Sequence, residues 1–318
     1  MTSEDRSQPV AAGNTAAGGR GTWLLLVLMP LFFSTNPVFG RIAVDAVGPW
    51  TLAFLRWFLA FLLLAPFIAG DFKRHRAVLT RNAALIALLG FLGMWVCGGM
   101  FYYALSKTTA TNGTLIYTTT PVLIIVLEAL FRGRRIALRE IFGIVLAFAG
   151  MVGIVTAGHP ARILSLDING GDAVVALSAL AWAVYSVVLK REALSRIPGF
   201  VLLGAIALAG AVELFPFMVG ETILTGKFPA SLSEWTAIGG IVVFSSVLSF
   251  GTYQYGVRAV GPAVTGIFLY LLPIYGVALA ILFIGEELHL FHVAGCVLVL
   301  GGVIVATLPL EVIRRWRG

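Results

Sequence analysis

Long apolar runs and short polar breaks alternate along the chain from residue 23 to residue 308. Runs such as AFLRWFLAFLLLAPFIA and ALIALLGFLGMWVCGGMFYYAL are longer than a core helix requires. A helix crossing roughly 30 Å of hydrocarbon takes about 20 mostly apolar residues. By that measure the pattern predicts ten spans, near 23–40, 50–69, 83–104, 111–131, 141–157, 172–190, 199–219, 235–255, 263–283 and 290–308. The fifth and tenth are short. Almost no chain remains for a soluble domain, so the expected fold class is an all-α integral membrane protein.

The pattern also repeats. FRGRRIALREIFGIVLAFAG at 131–150 lies over FIGEELHLFHVAGCVLVLGG at 283–302 without a gap, a shift of 152 residues. The same shift places Pro121 on Pro273 and Tyr103 on Tyr255, and a shift of 150 places PFIAG at 66–70 on PFMVG at 216–220. The spans thus read as two copies of a five-helix unit. Five is odd, so the second copy enters the membrane inverted. The expected organisation is a disordered cytoplasmic tail at 1–21, repeats at 22–158 and 170–308, and a basic cytoplasmic tail at 309–318. The first residues have no basic region ahead of an apolar core and cleavage site, so they do not read as a signal peptide.

Charge sets the orientation. Of the 22 Lys and Arg, 17 fall in the segments on the amino-terminal side of the membrane and four (Arg41, Lys107, Arg162, Lys227) on the other, with Arg56 inside a span. The positive-inside rule then puts both termini in the cytoplasm, as for a bacterial inner-membrane protein. It also explains part of the net charge of +7 without nucleic-acid binding. Arg134 and Arg135 align with Glu286 and Glu287, so the acidic pair reads as a mark of the inverted topology rather than a catalytic dyad. Cys97 and Cys296 lie in spans and predict no disulfide. The sequon at Asn112 begins a span, where glycosylation has no access.

An inverted repeat places a site at the midplane between its halves, and rocking of the halves exposes that site alternately. The sequence resembles the drug/metabolite transporter superfamily in its ten-span form with two EamA-type repeats. LAFLRWFLAFLLLAPF, ALAWAVYSVVLKR and YLLPIYGVALAILFIGEEL carry the resemblance, together with the spacing Gly143/Gly150 and Gly295/Gly302. Within that superfamily it is most similar to the YddG-type exporters of aromatic and other neutral amino acids. Arg134 replaces the Glu usual after the Gly of FRG in the first repeat. The resemblance implies secondary transport of small neutral metabolites across a bilayer.

Polar and aromatic residues on the spans are the candidate cavity lining: Asn36, Trp95, Tyr102, Tyr117, Thr118, Trp182, Tyr185, Ser249, Tyr253 and Tyr270. Ser245, Ser249, Thr252 and Tyr253 share one face of an ideal helix, as do Trp95, Gly99 and Tyr102. Packing or the interfacial aromatic belt explains such residues equally. Pro37, Pro121 and Pro273 are candidate hinges, the last two freeing the carbonyls of Tyr117 and Leu269 for a substrate ammonium, with Asn36 for a carboxylate. Glu128 is expected to pair with Arg132. Arg56 and Glu213 read as an outer gate, with Glu213 a proton-coupling candidate, or as residues snorkelling to the interface.

The rival readings are an exporter of cationic drugs, which wants a mid-membrane acid, and an intramembrane enzyme. No HExxH, P-loop or Cys/His cluster occurs, so no enzyme activity, metal, cofactor or ATP-driven pumping is expected. The oligomeric state is open, a monomer included. Single cysteines introduced as Arg134→Cys and Glu286→Cys are expected to react with an impermeant maleimide from opposite faces of the membrane. Labelling from one face would end the inverted topology.

Overall fold

The computed structural model describes residues 19–43, 47–159, 161, 169–284, 287 and 289–307. The expected terminal tails, Glu286 and the side chain of Pro37 therefore lie wholly or largely outside the description. Ten helical segments follow the sequence pattern. α1 is Arg20–Ala43 and α2 is Pro49–Arg74. α3 is Ala83–Leu105, α4 Asn112–Arg132, α5 Leu138–Val155, α6 Gly170–Leu189 and α7 Gly199–Thr225. α8 is Leu232–Val260, α9 Pro262–Leu279 and α10 Leu290–Thr307. Among the described residues, nine of these are long and apolar enough to cross a membrane. Ten spans are expected from the sequence; α1 is a further helix of 24 residues beside these nine.

Two pairs of repeat equivalents pack along each other. α2 lies along α7, its equivalent, and α5 lies along α10, its equivalent. The other contacts come in matched sets: α1 on α8 and α9, α6 on α3 and α4. Each set becomes the other when every helix is exchanged for its repeat partner, which is the contact map of a pseudo-two-fold.

The α5–α10 crossing shows why glycine recurs at those positions. A Cβ on Gly143 would stand 2.5 Å from the Gly302 carbonyl oxygen, and one on Gly302 would stand 2.4 Å from that of Gly143. Gly150 and Gly295 oppose each other in the same way, at 2.6 and 2.7 Å. The two glycine pairs thus pack spans within one chain, an alternative the sequence left open. In lipid, where apolar faces gain nothing by leaving the surroundings, such close backbone approach supplies the packing that holds helices together.

Two stretches depart from the α-helix. Phe91–Met100 in α3 and Ile241–Leu248 in α8 are wound as π-helix, and they are repeat equivalents. π turns are rare and concentrate at functional sites. The wider turn rotates the residues beyond it, with consequences for the site.

Gly302→Ala forces a methyl into backbone with no flexible side chain to yield. It is expected to destabilise the protein by about 1–3 kcal/mol, read as a lower melting temperature in detergent. Gly153→Ala on the partner helix α5, where a Cβ meets nothing within 4 Å, is expected to be near neutral.

Candidate functional site

The centre of the site is Arg56 on α2. It is 5% exposed and does not snorkel to an interface. Its Nε donates to Ser246 Oγ at 2.7 Å, its Nη1 donates to Tyr102 OH at 2.9 Å, and its Nη2 donates to the Ser245 carbonyl. Tyr102 OH in turn donates to Asn36 Oδ1 at 2.8 Å. Thr35 and Ser245 share a hydroxyl contact at 2.8 Å. Four helices, α1, α2, α3 and α8, therefore meet through one cation.

The π turn of α8 enters directly. Ser246 Oγ donates to the Ile241 carbonyl, five residues back, at 3.0 Å, while its oxygen accepts from Arg56. Among the described residues Arg56 has no carboxylate partner, since the ion pairs are Arg74–Asp71, Arg134–Glu128 and Arg134–Glu140. Charges buried in proteins are ordinarily paired.

Beside the cation stands an aromatic box. The Arg56 guanidinium lies 4.8 Å from the Trp57 ring and 5.6 Å from the Phe250 ring. Phe250 packs at 5.2 Å on Trp182, which stacks on Tyr185 at 5.3 Å and meets Tyr253 at 4.9 Å. Phe33 closes the group, 5.8 Å from Trp182. Tyr253 OH contacts Ser186 Oγ at 2.5 Å, and Gln254 Nε2 donates to Tyr185 OH at 3.1 Å. Trp57 Nε1, Ser249 Oγ and Tyr270 OH are buried with no hydrogen-bond partner among the described residues.

The structure thus brings Asn36, Tyr102, Trp182, Tyr185, Tyr253 and Arg56 together, with Phe33, Trp57, Phe250 and Ser246, which the sequence reading did not select. Phe and Trp in a lipid-bound helix look the same facing lipid or protein, so only their ring contacts single them out. Trp95 lies elsewhere, among Trp50, Phe91 and Phe217. The π turn between Trp95 and Tyr102 separates two residues that an ideal helix would align. On α8, Ser245, Ser249 and Tyr253 are buried, while Thr252 is half-buried and donates to its own helix at Leu248 O.

The breaks at the prolines differ from expectation. α4 is interrupted at Thr118–Thr119, so Pro121 sits at the start of a new helical turn, where proline fits. Thr118 donates to Leu115 O at 2.5 Å, and the Tyr117 carbonyl accepts the Thr120 hydroxyl. In α9 the 3-10 turn Phe268–Leu271 precedes Pro273, and the Leu269 carbonyl accepts the Leu272 N–H. Neither carbonyl is left free for an ammonium. Tyr117 packs on Phe101 at 5.0 Å.

The expected Glu128–Arg132 pair is also replaced. Glu128 is 9% exposed, lies 3.7 Å from Arg134 Nε, and accepts the Ala263 N–H at 3.1 Å. That bond joins α4 to the first turn of α9, next to Gly261 with its φ of +97°. Nearby Lys190, beyond the end of α6, is held below the ordinary lysine range by burial and then by Arg132. Glu213 and Arg56 form no ion pair; one Glu213 carboxylate oxygen is buried without a partner among the described residues.

A polar centre ringed by aromatics, drawn from both halves of a helical membrane protein, defines the carrier class. The EamA-like transporter family model matches residues 21–156 and again 169–308, and the chain belongs to that family. It is 28% identical over 295 residues to the uncharacterized transporter YyaM of Bacillus subtilis, covering 90% of this chain and 93% of that one. It is 27% identical to the uncharacterized inner membrane transporter YedA of Escherichia coli K12, covering 88% and 92%. A solved crystal structure superposes with a TM-score of 0.72 at 22% identity, over 90% of this chain and 97% of the other, a likeness of fold. The family and its relatives are transporters rather than enzymes.

Glu128→Ala leaves the Ala263 N–H without its acceptor and Arg134 with Glu140 alone. A buried donor so stranded costs about 1–3 kcal/mol. A lower melting temperature is expected, with Glu128→Gln losing less.

Proposed function

We propose that the protein is a secondary transporter of small neutral metabolites, exporting aromatic and other neutral amino acids by alternating access. The observation that carries this reading is the composition of the central cluster: α1, α2 and α3 come from one repeat, and α6 and α8 from the other. A solute lying between them touches both halves, and a relative tilt of the halves changes which side it can reach. The aromatic box suits an apolar body, and the Arg56–Tyr102–Asn36 chain suits a polar head. Trp57 Nε1 and Ser249 Oγ, buried without partners, add donors a polar solute can use. The proposed setting is the plasma membrane with both termini cytoplasmic, the partners being the solute and the bilayer.

Counterflow in proteoliposomes tests this. Radiolabelled phenylalanine, tyrosine or leucine is expected to accumulate against internal unlabelled amino acid, and Trp182→Ala to reduce the rate by at least about tenfold, the scale of one lost aromatic contact of about 1.5 kcal/mol. No exchange with any amino acid in the panel would end the proposal. Glu213 is the candidate proton-coupling group; Glu213→Gln is expected to flatten the pH dependence of transport, and an unchanged profile would remove it from that role.

A further inference from the structure

We propose that Arg56 is the anchor for a substrate carboxylate, and that the solutes recognised are organic carboxylates with an apolar or aromatic body, whether or not they carry an amine. This rests on the transporter reading and narrows it to a chemical group.

The argument begins with an incomplete charge. The guanidinium is buried, and the acceptors it meets are all neutral: a serine hydroxyl, a tyrosine hydroxyl and a backbone carbonyl. No carboxylate among the described residues pairs with it. Arginine stays protonated in proteins, so the charge cannot be shed by titration. An anion delivered from outside the protein would complete it.

The donor count agrees. Arginine has five N–H groups. Three are taken, one on Nε, one on Nη1 and one on Nη2. One N–H on each terminal nitrogen remains, and a guanidinium binds a carboxylate through two such bonds. The Tyr102 hydroxyl accepts from Arg56 and spends its proton on Asn36 Oδ1. This fixes the Asn36 amide so that its carbonyl is occupied and its NH2 group remains available as a further donor. The polar groups nearest the guanidinium that remain open to a solute's head, the Arg56 and Asn36 N–H groups, are therefore donors.

The amine is less well served. Among the described residues no carboxylate pairs within this cluster, the two carbonyls at the proline breaks each already accept one bond, from Thr120 and Leu272, and Gln254 Oε1 is a single neutral acceptor. Stripping water from an ammonium without replacing it is unfavourable. A carboxylate lacking the amine meets the same Arg56 guanidinium and the same Trp57–Phe250 wall without that loss.

Binding to the purified, detergent-solubilised protein by isothermal titration separates the cases. The probes are 3-phenylpropionate, L-phenylalanine and phenethylamine, which share one aromatic body and differ in head group. 3-Phenylpropionate is expected to bind at least as tightly as phenylalanine, and phenethylamine not to bind. Arg56→Gln is expected to weaken 3-phenylpropionate by roughly 10- to 100-fold, the scale of one or two charged hydrogen bonds, with Arg56→Lys retaining part. Should Arg56→Gln fail to fold, the three probes on the wild-type protein still decide. Phenethylamine binding as well as 3-phenylpropionate, or no binding of 3-phenylpropionate at millimolar concentration, overturns the anchor. A folded Arg56→Gln with unchanged affinity overturns it also. Phenylalanine counterflow that is unaltered in Arg56→Gln would sink the anchor and leave the amino-acid carrier standing. Arg56-dependent binding of 3-phenylpropionate without exchange of any amino acid would do the reverse.

Discussion

Inside a bilayer there is no water to complete a hydrogen bond, so every backbone group at a helix end or break must find its partner within the protein. Most of the irregular features of this molecule answer that requirement. Glu221 on α7 accepts the Thr51 N–H at 2.7 Å and the Thr51 hydroxyl at 2.8 Å, closing the start of α2. Glu128 closes the start of α9 from α4. Asp172 closes its own helix at Asn169 N and also accepts Asn112 Nδ2 and the Thr108 hydroxyl across to the α3–α4 connection. Carboxylates that are costly in lipid are thus spent on joining helices that the lipid gives no reason to join.

Arg56 follows a different logic. It is held by three hydrogen bonds, yet its charge is met only by neutral oxygens. A residue serving only to glue helices would gain from a carboxylate in Ser246's place, and none is there. The wide turn of α8 brings both the Ser245 carbonyl and the Ser246 hydroxyl to the guanidinium. The equivalent wide turn of α3 precedes Tyr102. The two distortions therefore stand on either side of the same cation, one in each repeat.

The helices and their repeat equivalence were legible from the apolar periodicity and the self-alignment, because lipid demands long apolar segments and duplication leaves residue-for-residue matches. Glycine at 143, 150, 295 and 302 could be seen to matter, though not whether it served one chain or two. Asn36, Tyr102, Trp182, Tyr185 and Tyr253 could be picked out because polar tips are rare at depth. Phe33 and Phe250 could not, since phenylalanine is equally at home in lipid. Trp95 was assigned to the wrong cluster because an ideal helical wheel does not know where a turn widens. Arg56 was visible as an oddity, but its surroundings come from α3 and α8, far away in sequence.

The α5–α10 crossing carries an evolutionary consequence. At most tight contacts a bulky replacement on one side can be offset by a smaller one opposite. Here each glycine is opposed by a carbonyl oxygen common to all amino acids, beside side chains such as Ile154, so no second-site change of side chain can clear the contact fully. Since each glycine faces the other copy's, divergence of the two halves is arrested at these four positions even as charges such as Arg134 and Glu286 drift apart.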